Sequence, residues 1–192
     1  MEISNFYNRD ENQIPQKGNT MKKLYVIVGP DFSDKSEILG KFMDDSAENL
    51  QIVNEGAVIQ AINLEGLNKD PNYRYNIISV VVRSQLLRDY NVIANCDNIS
   101  VEALILWKRI AFEHNAKCIL VLFDADQEVA MHKLTKLNLP KEQEDRLVPK
   151  LAEQFKRYDD LAKILNDKLN TIRRELADEI IEGDALVSSQ EE

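Results

Sequence analysis

Residues 24–36 read Leu-Tyr-Val-Ile-Val-Gly-Pro-Asp-Phe-Ser-Asp-Lys-Ser, an apolar run that passes straight into a glycine, four residues, and Asp-Lys-Ser. The spacing is that of G-x-x-x-x-G-K-[ST], with Gly29, Lys35 and Ser36 in place and Asp34 where the second glycine belongs. In such a loop successive backbone N–H groups wrap a phosphate, the lysine neutralises the outer phosphate oxygens and the hydroxyl holds Mg²⁺. Gly29, Asp34, Lys35 and Ser36 are therefore the candidate cofactor-binding residues, Ser36 the candidate metal ligand, and ATP with Mg²⁺ the cofactors of a working loop. Asp34 argues the other way, toward no cofactor. A carboxylate facing a polyphosphate about 4 Å away is repelled by about 4 kcal/mol at an effective dielectric of 20.

The loop needs a strand before it and a helix after it. Residues 24–28 form a continuous apolar run suited to a strand buried on both faces, and residues 35–45 suit a helix. Further strands are expected at 51–53, 91–95 and 117–123, and helices at 75–89 and 100–115, the last with Leu104, Trp107, Ile110 and Ala111 inward and Trp107 in the core. Residues 54–72 carry Gly56, Gly66 and Pro71 and read as substrate-facing loops. Asp126 is placed to cap a helix reaching about 137. Alternating strands and helices of this length predict an α/β domain of three layers around a parallel sheet of four or five strands.

Residues 1–20 have no apolar period and read as a flexible arm, 21–140 as the α/β domain, 141–181 as a helical C-terminal extension and 182–192 as an acidic solvated tail. Within 147–180, expected to be helical with Pro149 in its first turn or at a kink, Tyr158, Ala162, Leu165, Leu169, Ile172 and Leu176 alternate steps of three and four. That seam allows either a homo-oligomer through residues 158–180 or packing on the chain's own domain.

Composition narrows the partners. With 24 basic and 33 acidic residues the net charge is −9, which disfavours broad nucleic-acid binding while leaving a narrow cleft for a strand end. A protein partner fits the acidic surface better. No apolar run reaches the length of a membrane span, and the N-terminus is polar, so no membrane partner and a cytoplasmic location are expected. Cys96 and Cys118 lack metal spacing and secretory context, and His114 and His132 do not form a metal pair.

Three more segments carry a resemblance. Asn91-Val-Ile-Ala-Asn-Cys-Asp-Asn-Ile-Ser100 is similar to an apolar strand ending in D-x-T-N; Leu106-Trp-Lys-Arg-Ile-Ala111 leads into the apolar run before Asp124; and His132-Lys-Leu-Thr-Lys136 stands in the register of an R-N-x-x-R lid. With the phosphate loop, this order resembles the bacteriophage-type polynucleotide kinases (5′-hydroxyl kinases) and their small-molecule kinase relatives over roughly residues 22–160. The resemblance implies a P-loop kinase-like fold and phosphoryl transfer from ATP to a polynucleotide or nucleoside 5′-hydroxyl. It also implies catalytic roles for Lys35, Glu55, Asp97, His132 and Lys136: Lys35 on the phosphates, Glu55 or Asp97 orienting or deprotonating the hydroxyl, and the other two closing the lid.

The departures are as informative. Asn95 stands for the aspartate of D-x-T-N and Asp97 for its threonine, so that Asp97 and the matching Asn98 either reach Mg²⁺ through water or cap the next helix. Glu55 is the acid that follows the second strand, but no arginine follows it, and a lone acid in a Gly-containing loop is otherwise merely exposed. His132 and Lys136 replace two arginines whose planar forks they cannot reproduce. Loss of a transition-state arginine costs about 10³- to 10⁵-fold in rate. The expected protein is a degenerate kinase-like binding or accessory factor, phage-encoded by analogy, with an active kinase and a structural oligomer as the alternatives.

Overall fold

The computed structural model describes residues 21–45, 49–62, 71–97, 99–167 and 170–183. The arm at 1–20, Gly66, Asn98, Leu169 and the tail beyond 183 lie outside the described residues. In chain order the elements are β1 (Lys22–Val28), α1 (Lys35–Asp45), β2 (Leu50–Asn54), α2 (Glu55–Ile62), α3 (Pro71–Leu87), β3 (Asn91–Asn95), α4 (Val101–Glu113), β4 (Ala116–Leu122), α5 (Gln127–Thr135), α6 (Lys141–Asn166), α7 (Thr171–Leu176) and β5 (Glu179–Glu182). The strands make one parallel sheet in the order β2-β3-β1-β4-β5.

The two central strands are apolar on both faces because both faces are covered. Side chains alternate across a strand: Leu24, Val26 and Val28 join Ile78 and Val82 of α3, Leu104 and Trp107 of α4, and Tyr158, Leu161 and Leu165 of α6 in one core. Tyr25 and Ile27 point the other way, where Leu39 and Phe42 of α1 meet Ile93, Ile119 and Val121. The Tyr25 and Phe42 rings pack edge to face with centroids 5.4 Å apart. The result is the expected three-layer α/β arrangement. A smaller cluster joins Ala130 and Leu134 of α5 to Leu151 and Phe155 of α6.

Several local expectations change. Residues 55–62 form a helix, not a loop, because the Asn54 side-chain oxygen accepts from Ala57 N–H at 3.2 Å and starts it. None of its residues is fully buried, which is why no apolar period marks it. The helix after β3 is capped by Ser100, whose side chain accepts from Ala103 N–H at 3.2 Å, so Asp97 is freed from that duty. Asp126 does cap α5, accepting from Glu128 and Val129 N–H at 2.7 and 3.1 Å. Pro149 lies inside α6, well past its first turn.

The C-terminal seam is divided. Tyr158, Leu165 and Leu176 face the chain's own core, Ile172 is 41% exposed, and the seam is shared between α6, which ends at Asn166, and α7, which begins at Thr171. Residues 179–182, expected to be helical up to 180, are an edge strand on β4. Asp178 sets its register: the Cys118 N–H donates to the Asp178 carboxylate at 2.8 Å, the Asp178 N–H donates to the Cys118 carbonyl at 2.9 Å, and Lys108 of α4 pairs with the same carboxylate. Among the described residues no helix is long and apolar enough to cross a membrane.

Candidate functional site

The carboxyl ends of β1, β2 and β3 open on one cleft of about 560 Å³, lined among others by Gly29, Lys35, Ser36, Glu55 and Asp97. This is where parallel α/β sheets bind ligands. Five of the residues singled out by spacing are thus brought together. His132 of α5 and Lys136 at its C-cap are exposed and do not line this cleft.

The loop from Gly29 to Asp34 is held by its own contacts. A Cβ at Gly29 would stand 2.7 Å from the Phe123 carbonyl oxygen and 2.9 Å from its Cβ, so only glycine fits against β4's end. The Ser33 hydroxyl donates to the Pro30 carbonyl at 2.7 Å. Phe32 and Asp34 take left-handed backbone, with φ of 63° and 49°. Aspartate is among the few side chains that enter this region readily, so the backbone turn of the missing glycine survives. The Asp34 carbonyl accepts from Glu37 and Ile38 N–H at 3.1 and 3.3 Å and starts α1.

The Asp34 carboxylate is turned outward. It is 65% exposed and ion-paired with Lys133 of α5, whose ammonium also reaches the Phe32 carbonyl at 3.4 Å. Lys41 holds Glu37 instead, at 2.9 Å. Lys133 of α5 is thus the cation that meets the loop at Asp34. His132 and Lys136 share a helical face one turn apart, and Lys133 projects about 100° away from His132.

Inside the cleft Lys35 donates to the Gly29 carbonyl at 2.8 Å. Burial lowers its pKa, while Asp31 and Asp97 nearby pull it back up. Ser36, Asn95 and Asp97 offer oxygen ligands along the same wall. Mg²⁺ takes few protein ligands beside phosphates and water, so this sparse hard-oxygen set fits that ion. Among the described residues no cluster of three or more His, Cys, Asp or Glu side chains could hold a metal on its own.

Glu55 opens α2 directly after β2 and is tied down. It accepts from Arg74 of α3 at 3.2 Å and from the Asp97 N–H at 3.0 Å. Asp97 in turn pairs with Arg157 of α6 at 3.1 Å, and its carbonyl accepts from the Tyr75 hydroxyl. No arginine follows Glu55 closely in sequence, and Arg74 of α3 reaches it in space. Cys96 is buried at the cleft, and desolvation with Glu55 and Asp97 alongside drives its thiol pKa far up, which disfavours the thiolate.

Arg74, Lys133, Lys150, Gln154 and Arg157 were not legible as site residues. Gln154 is buried and accepts from the Asp31 N–H at 3.3 Å, which fixes the loop to α6; Lys150 lines the cleft one turn earlier. The available signal was weak: Lys150, Gln154 and Arg157 recur at steps of four and three on one helical face.

Neither a family model nor a curated protein matches the chain. Solved structures do match in fold. A chain of the Pnkp1/Rnl/Hen1 complex is 22% identical with a TM-score of 0.51, over 62% of this chain and 40% of that one. One of the Pnkp1/Rnl/Hen1 RNA repair complex is 20% identical with a TM-score of 0.52, over 74% and 48%. This chain therefore spans less than half the length of those two. The tunicamycin resistance protein of Deinococcus radiodurans is 10% identical with a TM-score of 0.53, over 88% of this chain and 93% of its own. Together with the sheet order, these likenesses show that the chain shares a parallel α/β fold with those structures.

Proposed function

We propose that this chain is a P-loop nucleotide-binding protein of kinase descent, acting as a binding or accessory factor with weak or lost phosphoryl transfer. The observation that carries the reading is the state of Asp34. Its backbone takes a left-handed turn, and its carboxylate pairs with Lys133 and does not line the cleft. The repulsion expected from the sequence is thereby largely relieved, and binding survives. Transfer does not gain by the same arrangement, because the lid cation nearest the loop is engaged in neutralising Asp34. α5 carries no arginine to take up charge on a transferring phosphoryl group, and Arg74, which does line the cleft, is held by Glu55.

In this reading Lys35 would neutralise the phosphates, and Ser36 with Asp97 or Asn95 would hold Mg²⁺, which would supply charge neutralisation of the polyphosphate. The test is calorimetric titration with Mg·ATP followed by single-turnover transfer to 5′-hydroxyl oligonucleotides and nucleosides. Binding at submillimolar Kd with transfer at least about 10³-fold below the 1–100 s⁻¹ of ordinary kinases is expected. No binding at millimolar Mg·ATP removes the nucleotide reading. Transfer in the ordinary range removes the lapsed one.

The second reading, a working 5′-hydroxyl kinase, is favoured by one feature. Glu55 and Arg74 form an acid–arginine pair beside the loop, placed to orient a hydroxyl.

A further inference from the structure

Helices α3 and α4 cover the same face of the sheet, with Ile78, Val82 and Leu86 of the first and Leu104, Trp107 and Ile110 of the second in one core. Their outer faces repeat one pattern. Val80 and Leu87 on α3, and Ile105 and Phe112 on α4, are exposed, Leu87 by 70% and Phe112 by 80%. At about 100° per residue, each stands about 140–160° around its helix from the fully buried Val82 or Trp107. Leu87 and Phe112 also stand level, each one turn before the strand that follows its helix. Exposed apolar side chains scattered singly need no explanation. Here two matched pairs, Val80 with Ile105 and Leu87 with Phe112, lie about 10 Å apart along neighbouring helices, which is the i, i+7 repeat of a helix laid beside them.

The charges along this strip are unevenly matched. Glu113 of α4 takes both Arg83 of α3 and Arg109 of α4, the latter through Nε at 2.9 Å. Arg109 is 72% exposed, and its terminal nitrogens have no partner among the described residues. Arg88, exposed just past α3, adds a third guanidinium, whereas Asp89 is held by Lys22, and Lys108 by Asp178. Three guanidiniums against one carboxylate make the Leu87–Phe112 end basic on a chain of net charge −9. Glu102, exposed in the first turn of α4, is the acid at the opposite end.

We infer that the α3–α4 outer face docks an acidic amphipathic helix of another protein, one with apolar residues seven apart and a carboxylate midway between them. Laid along the strip, such a helix sets its apolar residues on the two pairs, and its carboxylate meets the free fork of Arg109, whose planar donors suit bidentate binding. A second copy of the chain fits poorly. A dyad between the two pairs would bring Arg83 and Arg109 of both copies to the axis, and like charges there oppose pairing. Nucleic acid also fits poorly, because the strip offers three aliphatic side chains and one phenyl ring rather than a row of stacking platforms. The inference does not depend on nucleotide binding at the phosphate loop.

The experiment titrates the full-length chain, labelled at its Ile, Leu and Val methyls, with a synthetic helix of about 20 residues that carries leucines seven apart and glutamates midway, and with the same peptide bearing lysines for the glutamates. The glutamate peptide should bind at submillimolar Kd and shift the methyl signals of Val80, Leu87 and Ile105, and the lysine peptide should bind about tenfold or more weakly. Arg109→Glu should reverse that preference. Phe112→Asp should weaken the glutamate peptide about tenfold or more at an unchanged Tm, since that ring lies outside the core; if its Tm falls, Arg109→Glu decides. No binding of the glutamate peptide at millimolar concentration, equal binding of the two peptides, or shifts that miss these three methyls overturns the inference. So does sedimentation showing a wild-type dimer that Phe112→Asp abolishes, which would seat a second copy on the face, or an oligothymidylate that shifts the same methyls as tightly.

Discussion

Replacing Lys133 by methionine keeps the length of its stem on α5 and removes the charge that faces Asp34. The carboxylate is then free to act on a bound polyphosphate. Two unit charges about 4 Å apart interact by about 4 kcal/mol at a dielectric of 20 and about 1 kcal/mol in water. With 65% of the Asp34 side chain and 36% of the Lys133 side chain exposed, the penalty belongs toward the lower limit, about 1–2 kcal/mol or about 5- to 30-fold in the Kd for Mg·ATP. Stability should hardly change, since an exposed pair contributes about 0–1 kcal/mol. Calorimetry at 0.1 M and 1 M salt measures this, and screening should shrink the loss at 1 M, where the Debye length is about 3 Å. The decisive step repeats Lys133→Met in an Asp34→Gly background, which is sterically allowed at a φ of 49°. If Lys133 serves only to neutralise Asp34, the second substitution does nothing there. Equal losses in both backgrounds would refute the argument and make Lys133 a direct phosphate contact. No loss in either would show that Asp34 never faced the nucleotide.

Other outcomes follow from the same geometry. Gly29→Ala drives a Cβ into the backbone of Phe123 and should cost about 1–3 kcal/mol, read as a lowered Tm together with lost nucleotide binding. Burial lowers the Lys35 pKa below its ordinary 10.5, so as pH rises Lys35 should lose its proton before exposed lysines do, as followed by NMR of the lysine side chains. In that window the unfolded chain holds the extra proton, so stability rises with pH while affinity for anionic phosphates falls. Truncation after residue 157 removes Tyr158, Leu161, Leu165 and Leu176 from the main core, so cooperative thermal unfolding should be lost rather than a smaller monomer released. Asp178 is raised by its partial burial but lowered more by Lys108 and the Cys118 N–H; its contribution is present above the unfolded carboxylate pKa and disappears as pH falls through the folded value, a loss absent in Asp178→Asn.

The sheet was legible where burial alone decides structure. Residues 24–28 and 117–123 are apolar without alternation because helices cover both faces, and the Leu104–Trp107–Ile110–Ala111 spacing marks α4 for the same reason. β5 was not legible. Glu-Ile-Ile-Glu has no pattern of its own, and its strand state comes from pairing with β4 and from Asp178, sixty residues beyond Cys118. The site divides in the same way. Gly29, Lys35 and Ser36 follow from local spacing, and Glu55 and Asp97 from positions at strand ends. Arg74 and Arg157 meet those acids across 19 and 60 residues of sequence, distances at which a single sequence carries no pairing signal. Carrying a lid register onto α5 chose the face of His132 and Lys136. Lys133 lies off that face and makes the contact.

Asp34 shows why motif losses are a poor gauge of a lost site. A glycine in a phosphate loop answers two separate demands, left-handed backbone and absence of charge or bulk near the ligand. Most residues fail both; aspartate fails only the second, since its backbone reaches a φ of 49° here. The remaining electrostatic fault can be corrected by a cation from anywhere in the fold that reaches the carboxylate, and Lys133 does so from 99 residues away. Lid arginines admit no such repair, because charge on a transferring phosphoryl must be met by donors fixed at that point in space. Binding and turnover are therefore expected to separate in this chain: the defect that a neighbour can neutralise leaves affinity, and the one that geometry cannot replace removes rate.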